Sequence, residues 1–214
     1  MKKIALSASL ACITQLVAGT FFVQPNMVLA PAYAKSSHSN SHSLDAGMSE
    51  ENIGGKPYSI AKVVVHAHPE QVWQVLSDYG NAARVFPMLK KCQVIEDHGT
   101  TKIVKHVVSP SGPAGTYQYT LELKEQAPHV MEWHRIAGDF KEVDGCWRLE
   151  PLDGGHSTLV TYASHVNGGL FIPQMLIKRQ NRADMPQVMA ALKKQAEGNS
   201  IQIAGRPGSP SHTE

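Results

Sequence analysis

Aromatic residues in a strict two-residue rhythm are the first candidates for chemistry in this chain. Tyr117 and Tyr119, followed by Leu121 and Leu123, alternate with Thr116, Gln118, Thr120 and Glu122. Such alternation puts the first set on one face of a strand. Gly145, Trp147 and Leu149 repeat the rhythm against Cys146, Arg148 and Glu150, as do Met131, Trp133 and Arg135, and then Val160, Tyr162 and Ser164. Each of these can be plain core. Together they suit the wall of an apolar cavity, because Tyr and Trp combine large apolar area with a polar tip that can fix a head group. A long-chain ligand would gain ~0.8 kcal/mol per buried CH₂, so a modest tail suffices for micromolar binding. Tyr117, Tyr119, Trp133, Trp147 and Tyr162, with Met175 from the last helix, are the expected ligand-binding residues.

Catalytic groups are sparser. Arg135 is the odd member of an inward face; it can meet a ligand oxygen or reach solvent at the strand end. His106 and His165 lie on strands and are the other acid–base candidates. General acid–base chemistry needs such a group inside the cavity beside the substrate, and the sequence forces no pair there. His66-Ala67-His68 puts two imidazoles on one strand face. No Cys, Asp or Glu follows at ligand spacing, and His68 can simply cap a helix, so no metal site is read. Asp139, Glu142, Asp144 and Glu150 read as a solvated edge. The chain contains no GxSxG, Walker A loop, HExxH, CxxC or GxGxxG after a strand. No cofactor is implied.

The elements that must position these residues can be read from periodicity. Tyr58 to Ala67 reads as a strand, and His68-Pro69-Glu70 opens a helix with Pro at its first position. Val72, Trp73, Leu76 and Tyr79 carry helical spacing, and a short second helix over 81–86 stops at Phe86-Pro87. Strands follow at about 91–97, 100–109, 115–125, 129–136, 140–151 and 156–166, punctuated by turn signals. The last element is a helix over 173–197, with Met185, Val188, Met189, Leu192 and Ala196 on one face and Pro186 expected to kink it. The fold class is α+β: a curved seven-stranded antiparallel sheet around a long C-terminal helix, with two short helices after strand 1. A curved sheet holding a helix across its mouth leaves room for a ligand.

The chain is 214 residues long, with 20 basic and 18 acidic residues, a net charge of +2, and 18% charged residues, below the roughly 25% of average domains. Near-neutral charge argues against a nucleic-acid partner. The N-terminus refines this arithmetic. Lys2 and Lys3 precede an uncharged, mostly apolar run from Ile4 to Val23, and Pro31-Ala32-Tyr33-Ala34 fits a small-x-small cleavage site. Residues 1–34 are expected to be a signal peptide cleaved after Ala34, making the protein periplasmic or secreted. The alternative is an uncleaved anchor, against which Ser7, Ser9, Thr14, Gln15 and Thr20 count. Without Lys2 and Lys3 the mature chain carries 18 basic and 18 acidic residues. Residues 35–57, rich in Ser and His, are expected to be a disordered linker closed by Gly54-Gly55, and 199–214 a disordered tail. An oxidising compartment would permit a bond between Cys92 and Cys146.

The run Val63 to Tyr79 (VVVHAHPEQVWQVLSDY) resembles the opening strand and helix of START-like (SRPBCC, Bet v 1-like) domains, and Phe86-Pro87-Met88-Leu89 resembles their second helix. Gly145 to Pro151, Leu159 to Tyr162 and Phe171-Ile172-Pro173 extend the likeness over 58–198, within the coenzyme Q-binding and polyketide cyclase–dehydrase subgroup. The resemblance implies a helix-grip fold with a deep hydrophobic cavity. Members bind lipids, isoprenoid quinones, sterols or polyketides; some catalyse cyclisation or dehydration and many only carry ligands. Three functions are compatible: an exported carrier of a hydrophobic small molecule or lipid, with room for transient membrane contact; a cyclase or dehydratase using His106, Arg135 or His165; and an envelope protein with a packed interior.

Overall fold

The structure is a computed structural model that describes residues 47–111, 115–170 and 172–204. The expected signal peptide lies outside the described residues. In chain order the elements are β1 (Gly47–Ile53), β2 (Lys56–Val65), α1 (Pro69–Ser77), α2 (Ala82–Val85), β3 (Leu89–Asp97), β4 (Thr101–Val108), β5 (Tyr117–Gln126), β6 (Val130–Gly138), β7 (Glu142–Leu152), β8 (Ser157–Asn167) and α3 (Gln174–Ala204). The sheet order is β1-β2-β8-β7-β6-β5-β4-β3, and every neighbouring pair is antiparallel. Strands β3 to β8 form a continuous meander, and β8 returns to pair with β2. Helices α1 and α2 carry the chain from β2 to the far edge. This is the α+β helix-grip arrangement, with eight strands where seven were expected.

The extra strand corrects the linker reading over 47–57, while 35–46 lie outside the described residues. Gly54 and Gly55, at φ +60° and +82°, form a two-residue turn that pairs Ile53 with Lys56. Positive φ at both positions is the hairpin geometry that matches strand twist, and glycine adopts it without a Cβ clash. β1 is polar and largely exposed, so it lacks the apolar alternation that marks a strand. Glu50 holds it to α3 through Lys178 at 3.1 Å and Arg182 at 3.2 Å. Those two cations keep the Glu50 carboxyl below its ordinary range. The tail reading is corrected over 199–204: α3 runs to Ala204, past the helix expected over 173–197, and continues through Pro186, while 205–214 lie outside the described residues.

Helix α1 starts as the residue types require. His68 is the N-cap, Pro69 fills the first turn, and the Gln71 side chain accepts a hydrogen bond from the His68 N–H at 3.0 Å. Its buried face is Val72, Val75 and Leu76. The core joins these to Val63 and Val65 of β2, Leu121 and Leu123 of β5, Leu149 of β7 and Val160 of β8. Met185, Met189, Leu192 and Ala196 of α3 close it. Thus the C-terminal half of α3 is anchored in the core. Its N-terminal half is different: Gln174, Met175, Leu176, Arg179 and Arg182 are exposed. Among the described residues no helix is long and apolar enough to cross a membrane.

Cys92 and Cys146 are both free. Strands β4, β5 and β6 lie between β3 and β7. Cys92 faces the cavity described below, whereas Cys146 alternates with the inward Trp147 and faces away. The expected permissible disulfide is excluded by this placement, because two thiols on opposite faces cannot meet the short Cβ separation a disulfide requires.

Candidate functional site

Between the sheet and the N-terminal half of α3 lies a cavity of about 810 Å³. It forms where large apolar residues give out along the helix. The apolar stripe Met185, Val188, Met189, Leu192 and Ala196, continued toward the N-terminus at the same spacing, lands on Ile177, Gln180, Asn181 and Asp184. All four line the cavity. Polar side chains there do not plug the concave sheet, and a void remains. Its other rim comes from Phe86, Met88 and Leu89 after α2, and from Val108, Pro110 and Ser111 after β4.

The wall is aromatic. Trp147 stacks on Tyr162, with ring centroids 4.2 Å apart and planes at 16°. Trp133 and Phe86 extend this row at 6.0 Å from Tyr162 and 6.5 Å from Trp147. Phe140 joins Tyr117 and Tyr119 at 4.9 and 5.7 Å. Offset and edge-on aromatic pairs of this kind fix ring positions beyond what area burial alone provides. Trp133 lies directly over Gly145, its cross-strand partner. A Cβ on Gly145 would sit 2.3 Å from Trp133 Cζ2, so only glycine lets the indole lie flat on β7.

Of the residues expected to bind ligand, Tyr117, Tyr119, Trp133, Trp147 and Tyr162 all line the cavity. Met175 does not: it is 79% exposed, because helical periodicity at that point turns Ile177 inward. His106 lines the cavity. Arg135 and His165 lie outside it. Arg135 bends away to the β6–β7 turn, where its Nε donates to the Lys141 carbonyl at 3.0 Å and its Nη1 to that of Gly138 at 3.3 Å. His165 sits on the outer sheet face, its Nδ1 2.8 Å from the Pro57 carbonyl and its Nε2 3.7 Å from Glu142. Phe86, Phe140, Tyr79, Cys92 and Asp184 line the cavity without having been expected there.

The cavity disfavours charge. Burial lowers the His106 pKa from its ordinary 6.5 to about 4. Its one ring contact is edge-on to Tyr119 at 5.6 Å, and no acid among the described residues orients it. Burial raises the Tyr119 and Tyr162 hydroxyls, although the Ser164 hydroxyl partly opposes this at Tyr162. Both remain protonated donors at neutral pH. Burial also pushes the Cys92 thiol up to about 11, which keeps it out of the nucleophilic thiolate form. Tyr79 donates to Glu125, and burial with that carboxylate raises its hydroxyl. The arrangement can hold a hydrophobic molecule in a largely apolar wall, and among the described residues the wall's one histidine has no hydrogen-bonded acid beside it.

His106 makes a pH prediction. Folding favours the neutral ring, so the unfolded chain binds an extra proton between its ordinary pKa and the folded value. Stability should therefore be fully present above pH 6.5 and fall as pH drops toward 4, by up to about 3 kcal/mol at 1.36 kcal/mol per pKa unit. His106→Gln should flatten this part of the curve in urea denaturation. An unchanged pH slope in the variant would contradict the assignment.

One cluster outside the cavity has metal-ligand types. Glu142, Asp144 and His165 converge on the outer sheet face. Lys56 already fills the cation's place, with its Nζ 2.8 Å from Glu142 and 2.5 Å from Asp144. Of the two histidines weighed for metal, His66 contacts the Ser157 hydroxyl at 3.3 Å and its N–H bonds Glu197 at 2.9 Å. His68 packs its ring on His156 at 5.4 Å.

The family model for polyketide cyclases/dehydrases and lipid transport matches residues 65–193. The chain belongs to this family. Solved structures of the START and Bet v 1-like superfamily share the fold. The Zhui aromatase/cyclase of Streptomyces sp. R1128 has 19% identity and a TM-score of 0.60, over 69% of this chain and 97% of its own. Human StAR-related lipid transfer protein 5 has 11% identity and a TM-score of 0.61, over 72% and 83%. A STAR-related lipid transfer protein of Xanthomonas axonopodis has 16% identity and a TM-score of 0.59, over 71% and 98%. By sequence, no curated protein matches. The family match and the cavity agree in their extent: every residue of the cavity wall falls within 65–193.

Proposed function

We propose that this chain is an exported, non-enzymatic carrier that holds a hydrophobic small molecule (a lipid, an isoprenoid quinone or a polyketide-like compound) between the sheet and α3. The observation that carries this reading is an aromatic-walled cavity of about 810 Å³, within the ~300–1,000 Å³ of ligand sites, whose one histidine has no hydrogen-bonded acid among the described residues. The volume speaks against the envelope protein with a packed interior. Leu170, Met175 and Leu176 are exposed beside the cavity, and support brief contact with a membrane during loading. Trp133 and Trp147 line the wall and report occupancy. Adding a short-tailed quinone, a long-chain alcohol or a sterol to the purified protein should shift tryptophan emission saturably, with at least one of them binding in the micromolar range. A flat titration for all three would contradict the carrier.

Export is part of the same proposal and rests on Lys2, Lys3, the apolar run and the Ala32-Tyr33-Ala34 site. Cell fractionation with N-terminal sequencing should find a chain beginning at Lys35 in the exported fraction. A cytosolic chain retaining Met1 would overturn it.

His106 favours a second reading, a cyclase or dehydratase in which its neutral imidazole takes a proton from a polyketide-like substrate. With Arg135 and His165 outside the cavity, that reading retains one of its three groups.

A further inference from the structure

Asp184 is the one acidic residue of the cavity wall among the described residues. It is 8% exposed and sits on the cavity side of α3. Its partners are neutral: Gln180 Nε2 donates at 2.7 Å, and the Ser111 backbone N–H approaches both carboxylate oxygens at 3.4 Å. Among the described residues no Lys, Arg or His nitrogen lies within ion-pair distance of it. The basic residues nearby are engaged or wet: Arg182 and Lys178 pair with Glu50 of β1, and Arg179 stands exposed at the rim. A carboxylate has room for about four hydrogen bonds, so acceptor capacity is left facing the void. Burying a carboxyl group without a cationic partner costs free energy that a ligand can recover by donating to it.

We propose that Asp184 selects the ligand's head group: the cavity takes a hydrophobic molecule whose polar end donates a hydrogen bond, a hydroxyl or a protonated amine, and rejects one that ends in a carboxylate. This rests on the carrier reading above and narrows it to a ligand class. An anionic head placed at Asp184 would meet a like charge in a desolvated site, which disfavours its binding. The Tyr162 hydroxyl and Asn181, both in the same wall, offer the head group further polar contacts. Arg179 is the competing group, since an anion drawn to it would bind at the rim.

The test compares three ligands of one chain length, decanol, decylamine and decanoate, by the shift of tryptophan emission in the purified protein at neutral pH. Decanol and decylamine should bind at least about tenfold more tightly than decanoate. Asp184→Asn removes the charge and keeps an acceptor oxygen. It should bring decanoate to within about threefold of decanol; a thermal melt of the variant confirms its fold. Decanoate binding as tightly as decanol to the unmodified protein would overturn the proposal and leave the carrier reading intact. An unchanged ratio in Asp184→Asn would overturn it as well. If none of the three moves the emission, the carrier reading falls with it.

Discussion

Leu192→Ala should lower the stability of the protein by about 3–5 kcal/mol, the upper part of the range for a large-to-small change at a site that cannot collapse. Leu192 is fully buried, in a cluster with Met185, Met189 and Ala196 of α3 and with Val72 and Leu76 of α1. This seam holds α3 to the rest of the molecule. The N-terminal half of the helix roofs a void and contributes few apolar contacts, so it cannot compensate. For a chain of this size the melting temperature should fall by about 10 °C. Val188→Ala is the informative comparison. Val188 is half-buried and lines the cavity, so its truncation should cost less stability and enlarge the binding space. If Leu192→Ala melts within a degree or two of the unmodified protein, the division of α3 into an anchoring half and a roofing half is wrong.

Gly145→Val should disturb the cavity more than any loss of a wall side chain. The first added carbon would lie 2.3 Å from Trp133 Cζ2 and 2.5 Å from the Ala163 carbonyl oxygen. The second contact is backbone of β8 and cannot swing aside, so both the β7–β8 ladder and the indole must move. Overpacking of this kind costs about 1–3 kcal/mol and sometimes more. Trp133 would also lose its offset contact with Tyr162 at 6.0 Å. The expected results are a lower melting temperature and a red shift in tryptophan emission as the ring leaves its slot. Native stability and an unshifted spectrum would show that Trp133 does not rest on β7.

Much of this architecture was legible because it follows from periodicity. The alternation through Tyr117, Tyr119, Leu121 and Leu123 could serve only one face of a strand, and the structure puts all four on the cavity side. The spacing of Met185, Met189, Leu192 and Ala196 located the packed face of α3. What was misread lacked such a signal. β1 is polar on both faces; its only mark is Gly54-Gly55, which suits a hairpin and the end of a linker equally well. Arg135 stood at an inward position, but its long side chain reaches the turn carbonyls of Gly138 and Lys141. Asp184 was discernible by extending the apolar stripe of α3 four residues back from Val188. It was passed over because a polar residue on an inward face reads as a break in the pattern. Phe140 starts the strand expected over 140–151, whose rhythm turns it outward; β7 begins only at Glu142, and Phe140 enters the cavity from the β6–β7 turn.

The central claim is that the interior of this protein is built to hold a hydrophobic molecule. Native mass spectrometry of the full-length protein, purified without detergent and then exposed to total lipid extract, tests it most directly. The account predicts a population heavier than the polypeptide by the mass of one small molecule, lost on denaturation and recovered in the organic phase. A protein that stays at its polypeptide mass before and after exposure would contradict it.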